Sequence, residues 1–154
     1  LTPLHCAALY GFTARERTRL LALFDTLLLA GAEVDAAAAG GVTPLLLLIG
    51  ARAEPGTACD EDVLLAVMEH LLDEGVSLDA QDPRGFGPLH LAALHGLLRV
   101  TQRLLRAGAD PELRDGLNRT PREIAVMRGF VDVAHEYVPA PTGVSMARFL
   151  RDRG

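Results

Sequence analysis

The sequence predicts an all-α repeat protein, an α-solenoid of stacked helix-turn-helix units joined by β-hairpin-like loops. The first observation is recurrence: Gly85-Phe86-Gly87-Pro88-Leu89-His90-Leu91-Ala92-Ala93-Leu94-His95-Gly96, closing at Arg106-Ala107-Gly108-Ala109-Asp110, has a near copy at Thr2-Pro3-Leu4-His5-Cys6-Ala7-Ala8-Leu9-Tyr10-Gly11, closing at Ala30-Gly31-Ala32. The second is that the frame returns twice more, at Thr43-Pro44-Leu45-Leu46 with Gly75-Val76 and at Thr120-Pro121-Arg122-Glu123-Ile124-Ala125 with Gly129. Four copies of one unit imply a stacked array, because a single unit cannot bury its apolar face alone. The third is that each copy opens on helix-start chemistry, and three of them close on glycine. Thr-Pro supplies a capping hydroxyl followed by a residue whose missing N–H costs nothing in the first turn. Gly31, Gly75 and Gly108 suit the left-handed residue that ends a helix.

The first copy is expected to span residues 1–36, the second 37–80, the third 81–113 and the fourth 114–138, with residues 139–154 as linker and tail. The Thr-Pro positions (Thr2, Thr43, Gly87, Thr120) are spaced by 41, 44 and 33 residues, so the first two copies carry insertions, near 12–19 and near 52–62. In the first insertion Thr13-Ala14-Arg15-Glu16 reads as a capping box, predicting that the second helix begins at Thr13 and runs to Ala30. In copy two, Leu45 to Ile49 is predicted as a short buried helix between Pro44 and Gly50. Glu54-Pro55-Gly56 breaks the chain, and Asp60-Glu61-Asp62 places acid at the positive end of a new helix. Val63, Val67 and Leu71 with Leu64, Met68 and Leu72 then form one apolar face at helical spacing. In the fourth copy Thr120 and Glu123 form a capping box, and a short second helix is expected over Val131 to Val138.

These motifs resemble the ankyrin repeat over roughly residues 1–138, the third copy matching the family signature almost position for position. The resemblance implies a non-catalytic scaffold that holds other macromolecules on a concave surface of hairpin tips and inner helices. It also implies a local Thr–His hydrogen bond, which carries over to Thr2 with His5. The second copy has Leu46 in the His slot, the third has Gly87 in the Thr slot, and the fourth pairs Thr120 with Glu123.

Composition narrows the function. The 154 residues are 49% hydrophobic without an apolar run long enough to cross a bilayer. The formal charge is −5, and all 15 basic residues are arginine. A GC-rich bacterial genome explains the missing lysine; the alternative is selection against ubiquitin attachment in a protein delivered into a eukaryotic cell. Cys6 and Cys59 lack metal-ligand spacing and are expected as reduced thiols, which suits a cytoplasmic protein, with secretion or delivery to a host left open. The chain begins at Leu1 without the turn that would precede a first repeat, so a longer array is expected upstream.

Five histidines and twenty acids are the candidates for site chemistry. His90 and His95 are five apart, which does not align them on one helix face, and Glu69-His70 has no partner histidine. No Gly-rich phosphate loop or nucleophile elbow occurs. Neither a catalytic site, a metal nor a cofactor is expected. Nucleic acid is disfavoured by the negative charge and by arginines without interleaved aromatics.

The tips and the ends of the inner helices are therefore the candidate site. In the repeat frame the tips expose Gln81, Arg84, Phe86, Arg114, Leu117 and Arg119, and the inner helices add Leu9 and Tyr10, Leu94 and His95, and Met127 and Arg128. Arg84, Arg114, Arg119 and Arg128 would form a positive strip suited to an acidic segment of a protein partner. The tip at Ala36 to Val42 offers few functional side chains. Beyond the Pro-rich linker, Met146, Phe149 and Leu150 could form a helix that caps the array or docks elsewhere. The leading expectation is a protein-binding scaffold; the alternative is the recognition arm of a larger enzyme or translocated bacterial effector.

Overall fold

The computed structural model describes residues 2–13, 17–37, 41–54, 57 and 59–137. Among them are α1 (Pro3–Thr13), α2 (Arg17–Leu29), α3 (Pro44–Leu48), α4 (Glu61–Asp73), α5 (Pro88–His95), α6 (Leu98–Arg106), α7 (Pro121–Arg128) and α8 (Val131–His135), and no strand. The odd-numbered helices pack in sequence as an inner layer, α1 on α3, α3 on α5 and α5 on α7. The even-numbered helices pack likewise as an outer layer. Between the layers runs one apolar core that includes Leu4, Phe12, Phe24, Leu64, Met68 and Leu104. The tail and its suggested cap helix lie outside the described residues.

Helix starts follow from the side chains at their first positions. Thr43 Oγ1 accepts from Leu46 N at 3.4 Å with Pro44 in the first turn. Thr120 Oγ1 accepts from Glu123 N while Glu123 accepts from Thr120 N at 2.8 Å, a closed capping box. Asp60 accepts from Asp62 N and Val63 N and starts α4, whose buried face is Val63, Leu64, Val67, Met68 and Leu71. At Gly87, which has no side chain to cap with, His90 Nδ1 accepts from the glycine N–H at 3.2 Å.

The first insertion departs from expectation. Thr13 ends α1 and does not start α2, because Phe12 is buried and holds the first helix one turn longer. The added residues are shared: α1 has 11 residues against 8 in α5, and α2 has 13 against 9 in α6. The last helix is also shorter than expected. It ends at His135, and Tyr137 turns its hydroxyl toward Leu89 O at 3.5 Å.

The second insertion shapes the seam between copies two and three. Helix α3 has only five residues, all buried, and the chain leaves it through Gly50 at φ +94°. A Cβ at Gly50 would lie 2.6 Å from His95 Nε2 and 2.7 Å from the Phe12 ring, so only glycine fits. There His95 Nε2 donates to Gly50 O at 3.0 Å and Arg84 Nη2 donates to Ala51 O at 2.8 Å. The expectation of an exposed His95 is corrected: its ring packs on Phe12 at 4.9 Å, and its buried Nδ1 has no hydrogen-bond partner among the described residues.

Burial lowers the pKa of His95 and of His90 below the ordinary 6.5, opposed only in part by their bonds to the Gly50 and Arg119 carbonyls. Stability from such a depressed histidine is whole above the ordinary value and shrinks as the pH falls through it, because the unfolded chain takes up the proton first. The thermal midpoint is expected to drop on going from about pH 7.5 to about pH 5.5, and less steeply in a His95→Gln variant that keeps a donor toward Gly50. Equal slopes in the two proteins would contradict this.

On the outer layer the acids of the second insertion reach the next copy. Helix α6 starts at Leu97 with no capping side chain of its own, and Glu61 Oε2 on α4 accepts from Val100 N at 3.0 Å in its place. Arg99 bonds Asp62 at 2.6 Å and Arg103 grips both oxygens of Glu69, whose pKa falls chiefly through that bond. Urea denaturation of Glu61→Ala should show a loss of about 1 kcal/mol, the worth of a helix cap. The largely exposed Asp62, replaced by alanine, should cost about 0.5 kcal/mol or less.

Candidate partner-binding face

Two tips carry most of the candidate residues, and each is organised by an aspartate at its start. Backbone bonds from Asp82 N to Phe86 O at 2.9 Å and from Gly85 N to Asp82 O at 2.8 Å close the first tip. The second repeats them, from Asp115 N to Arg119 O at 3.0 Å and from Asn118 N to Asp115 O at 2.9 Å. Gly85 and Asn118, each three residues after its aspartate, take positive φ, and Asn118 is the sole non-glycine residue to do so among the described residues.

Each aspartate carboxylate is buried inside its own loop. Asp82 accepts from the N–H groups of Arg84 and Phe86, both at 2.9 Å, and from Arg84 Nε and Nη2. Asp115 accepts from the N–H groups of Leu117 and Arg119, both at 2.9 Å, and from Arg119 Nε at 2.9 Å. Burial alone would raise the pKa of Asp115, but the backbone and side-chain bonds from Arg119 outweigh it and the net shift is downward.

The tips are also bonded to each other. Gly116 N donates to Arg84 O at 2.8 Å, and Gln81 Nε2 donates to Gly85 O at 2.7 Å and to Arg114 O at 3.0 Å. One step inward, His90 Nδ1 is occupied by Gly87 N–H, so the neutral ring carries its proton on Nε2 and donates to Arg119 O at 2.9 Å. His5 does the same in copy one, pairing with Thr2 Oγ1 at 2.7 Å and reaching Val42 O at 3.0 Å. The local Thr–His pair is thus half of a link between neighbouring copies.

This geometry redistributes the residues read from the sequence. Phe86 is not exposed: it is 6% accessible, stacked on His90 at 5.8 Å and covered by Arg84, whose guanidinium carbon lies 4.4 Å from the ring centroid. Gln81 spends its amide on carbonyls of its own loop and the next. Arg84 and Arg119 lie on the same side, but Asp82 and Asp115 offset their charges. Arg114 donates to Asn118 O at 2.9 Å and lies 3.8 Å from Glu123. Arg128 is exposed, donates to Leu94 O at 3.3 Å and sits over Phe130. Leu117 is 73% exposed and Met127 64%.

Between the tips is an open notch of about 350 Å³ lined by Pro83, Arg84, Phe86, Gly116, Leu117 and Arg119. The sequence reading missed the two aspartates that hold its guanidinium groups. The signal was present as an aspartate recurring at a spacing of 33 residues, each followed three positions later by glycine or asparagine. Among the described residues no three His, Cys, Asp or Glu side chains gather as a metal site, and no helix is long and apolar enough to cross a membrane.

Residues 71–125 match the family model described as "Ankyrin repeats (many copies)". The chain is 35% identical over 97 residues to neurogenic locus notch homolog protein 1 of Homo sapiens and 37% identical over 99 residues to the neurogenic locus Notch protein of Drosophila melanogaster. Each match covers 61% of this chain and 4% of the relative. It is also 29% identical over 87 residues to synphilin-1 of Mus musculus, across 56% of this chain and 9% of that protein. The chain thus spans only a small part of the length of these relatives.

Proposed function

Because this chain belongs to the ankyrin repeat family, whose repeats serve generally as protein–protein interaction modules, we propose that it is a non-catalytic scaffold holding a partner protein on the tip and inner-helix face of copies three and four. What supports this reading is that copies three and four expose Leu117 and Met127 together with Arg84, Arg114 and Arg128, with Leu117 sharing a notch with Arg84 and Arg119. Stacked repeats free such side chains from core duty, and apolar groups beside arginine are the usual stuff of binding hot spots. Leu94 and His95 contribute the floor and not the contact, since both are partly buried. Arg114 and Arg128 keep the face suited to an acidic segment, while the buried aspartates make the attraction one of close contact and not of long-range steering.

The test is cross-linking capture from the native cell extract with the wild type and an Arg114→Glu, Met127→Ser, Arg128→Glu variant. All three side chains are exposed, so the stack is expected to stay folded by circular dichroism. The variant is expected to lose specific partners at least tenfold; the same proteins captured in the same yield would reject the face. A second reading, that the array is the recognition arm of a larger protein whose chemistry lies elsewhere, draws on the small share of its relatives that this chain covers.

A further inference from the structure

We infer that the notch between the tips is the anchor pocket of this face and takes a short peptide in which one apolar side chain is flanked by carboxylates. The inference rests on the protein-binding reading above and names the class of partner.

The notch has two kinds of wall. Pro83, Leu117 and the edge of Phe86 are apolar, and the volume of about 350 Å³ accommodates one branched or aromatic side chain in an open setting. Burying such a side chain there removes Leu117, 73% exposed, from water as well. The other walls are guanidinium groups. Arg84 and Arg119 both lie over the Phe86 ring, at 4.4 and 5.8 Å from its centroid, so they flank the apolar patch.

Each guanidinium is fixed by its own buried aspartate through Nε and Nη2. Nη1 of each makes no hydrogen bond among the described residues. An incoming carboxylate can therefore bond a positioned arginine without displacing an existing bond, and less side-chain entropy is lost on binding than for a free arginine. Carboxylates on both sides of the anchor would meet Arg84 and Arg119, and those further out would meet Arg114 and Arg128.

The same features disfavour nucleic acid. The Phe86 ring lies beneath guanidinium groups and offers no face for base stacking, and the chain carries a formal charge of −5.

Fluorescence anisotropy on the full chain tests the proposal with labelled probes: a peptide bearing one leucine between two pairs of glutamates, the same peptide with serine for leucine, the same with lysine for glutamate, and oligo-dT. The leucine–glutamate peptide is expected to bind, the other three at least tenfold more weakly. Leu117→Glu should reduce binding of the first peptide at least tenfold while circular dichroism stays unchanged. Equal affinity for the leucine and serine peptides, tighter binding of oligo-dT, an unaffected Leu117→Glu protein, or no binding of the first peptide would each overturn the pocket. If the cross-linking capture still depended on Arg114, Met127 and Arg128 in that case, the face would stand and only the peptide class would fall.

Discussion

Replacing Gly85 with alanine is expected to push the two tips apart and to cost about 1.5–3.5 kcal/mol in urea denaturation. Two effects add. The residue sits at φ +85°, where an L side chain costs about 1–2 kcal/mol. The new Cβ would also lie 2.3 Å from Gly116 N and 2.8 Å from the Asp115 carbonyl carbon, which are backbone atoms and cannot rotate away. Relief requires breaking the bond from Gly116 N to Arg84 O, worth about 0.5–1.5 kcal/mol net. Gly108→Ala separates the two effects: at φ +99° with nothing within 4 Å of its Cβ, it should cost only the conformational part. Equal losses for the two alanine variants would show that the close approach of the tips contributes no stability.

The second large effect is expected at Asp115. Its side chain is 0% exposed, and it satisfies two loop N–H groups together with the Arg119 guanidinium. Asp115→Ala leaves those donors unsatisfied and the arginine without its counter-charge, an expected loss of about 3–5 kcal/mol. Asp115→Asn keeps one acceptor oxygen and should fall between alanine and wild type. Because the folded pKa of Asp115 is depressed, its contribution is present at neutral pH and is lost only as the pH falls below the ordinary carboxylate value of 3.8. Urea midpoints of the three proteins at neutral pH, and of the wild type in acid, check both the order and the pH window. An alanine variant as stable as wild type would mean that the loop does not depend on its carboxylate.

Local chemistry was the legible part of this chain. The Thr43 and Thr120 starts, the Asp60 cap and the buried run at Leu45 depend on residues a few positions apart, so their spacing suffices to read them. What escaped depends on a neighbouring copy. Thr13 looks like a helix start until Phe12 is seen packed on His95, 83 residues away in sequence. Phe86 looks like a surface aromatic until two arginines close over it. Glu61 reads as a helix-dipole acid for α4, and it is also the cap of α6. In the candidate site the arginines were conspicuous and their aspartates were not, because a turn-forming aspartate passes for ordinary loop composition. The insertions obscured the register further by lengthening the first two copies at places where length alone does not say which helix grows.

The bonds among Gln81, Arg84, Arg114 and Gly116 have a consequence for protein engineering. Neither finger is a free module: a foreign loop grafted in place of residues 112–120 would leave the Gln81 amide and the Arg84 carbonyl seeking new partners, and the neighbouring finger would relax with it. Any graft onto this scaffold should exchange residues 79–87 and 112–120 as a matched pair.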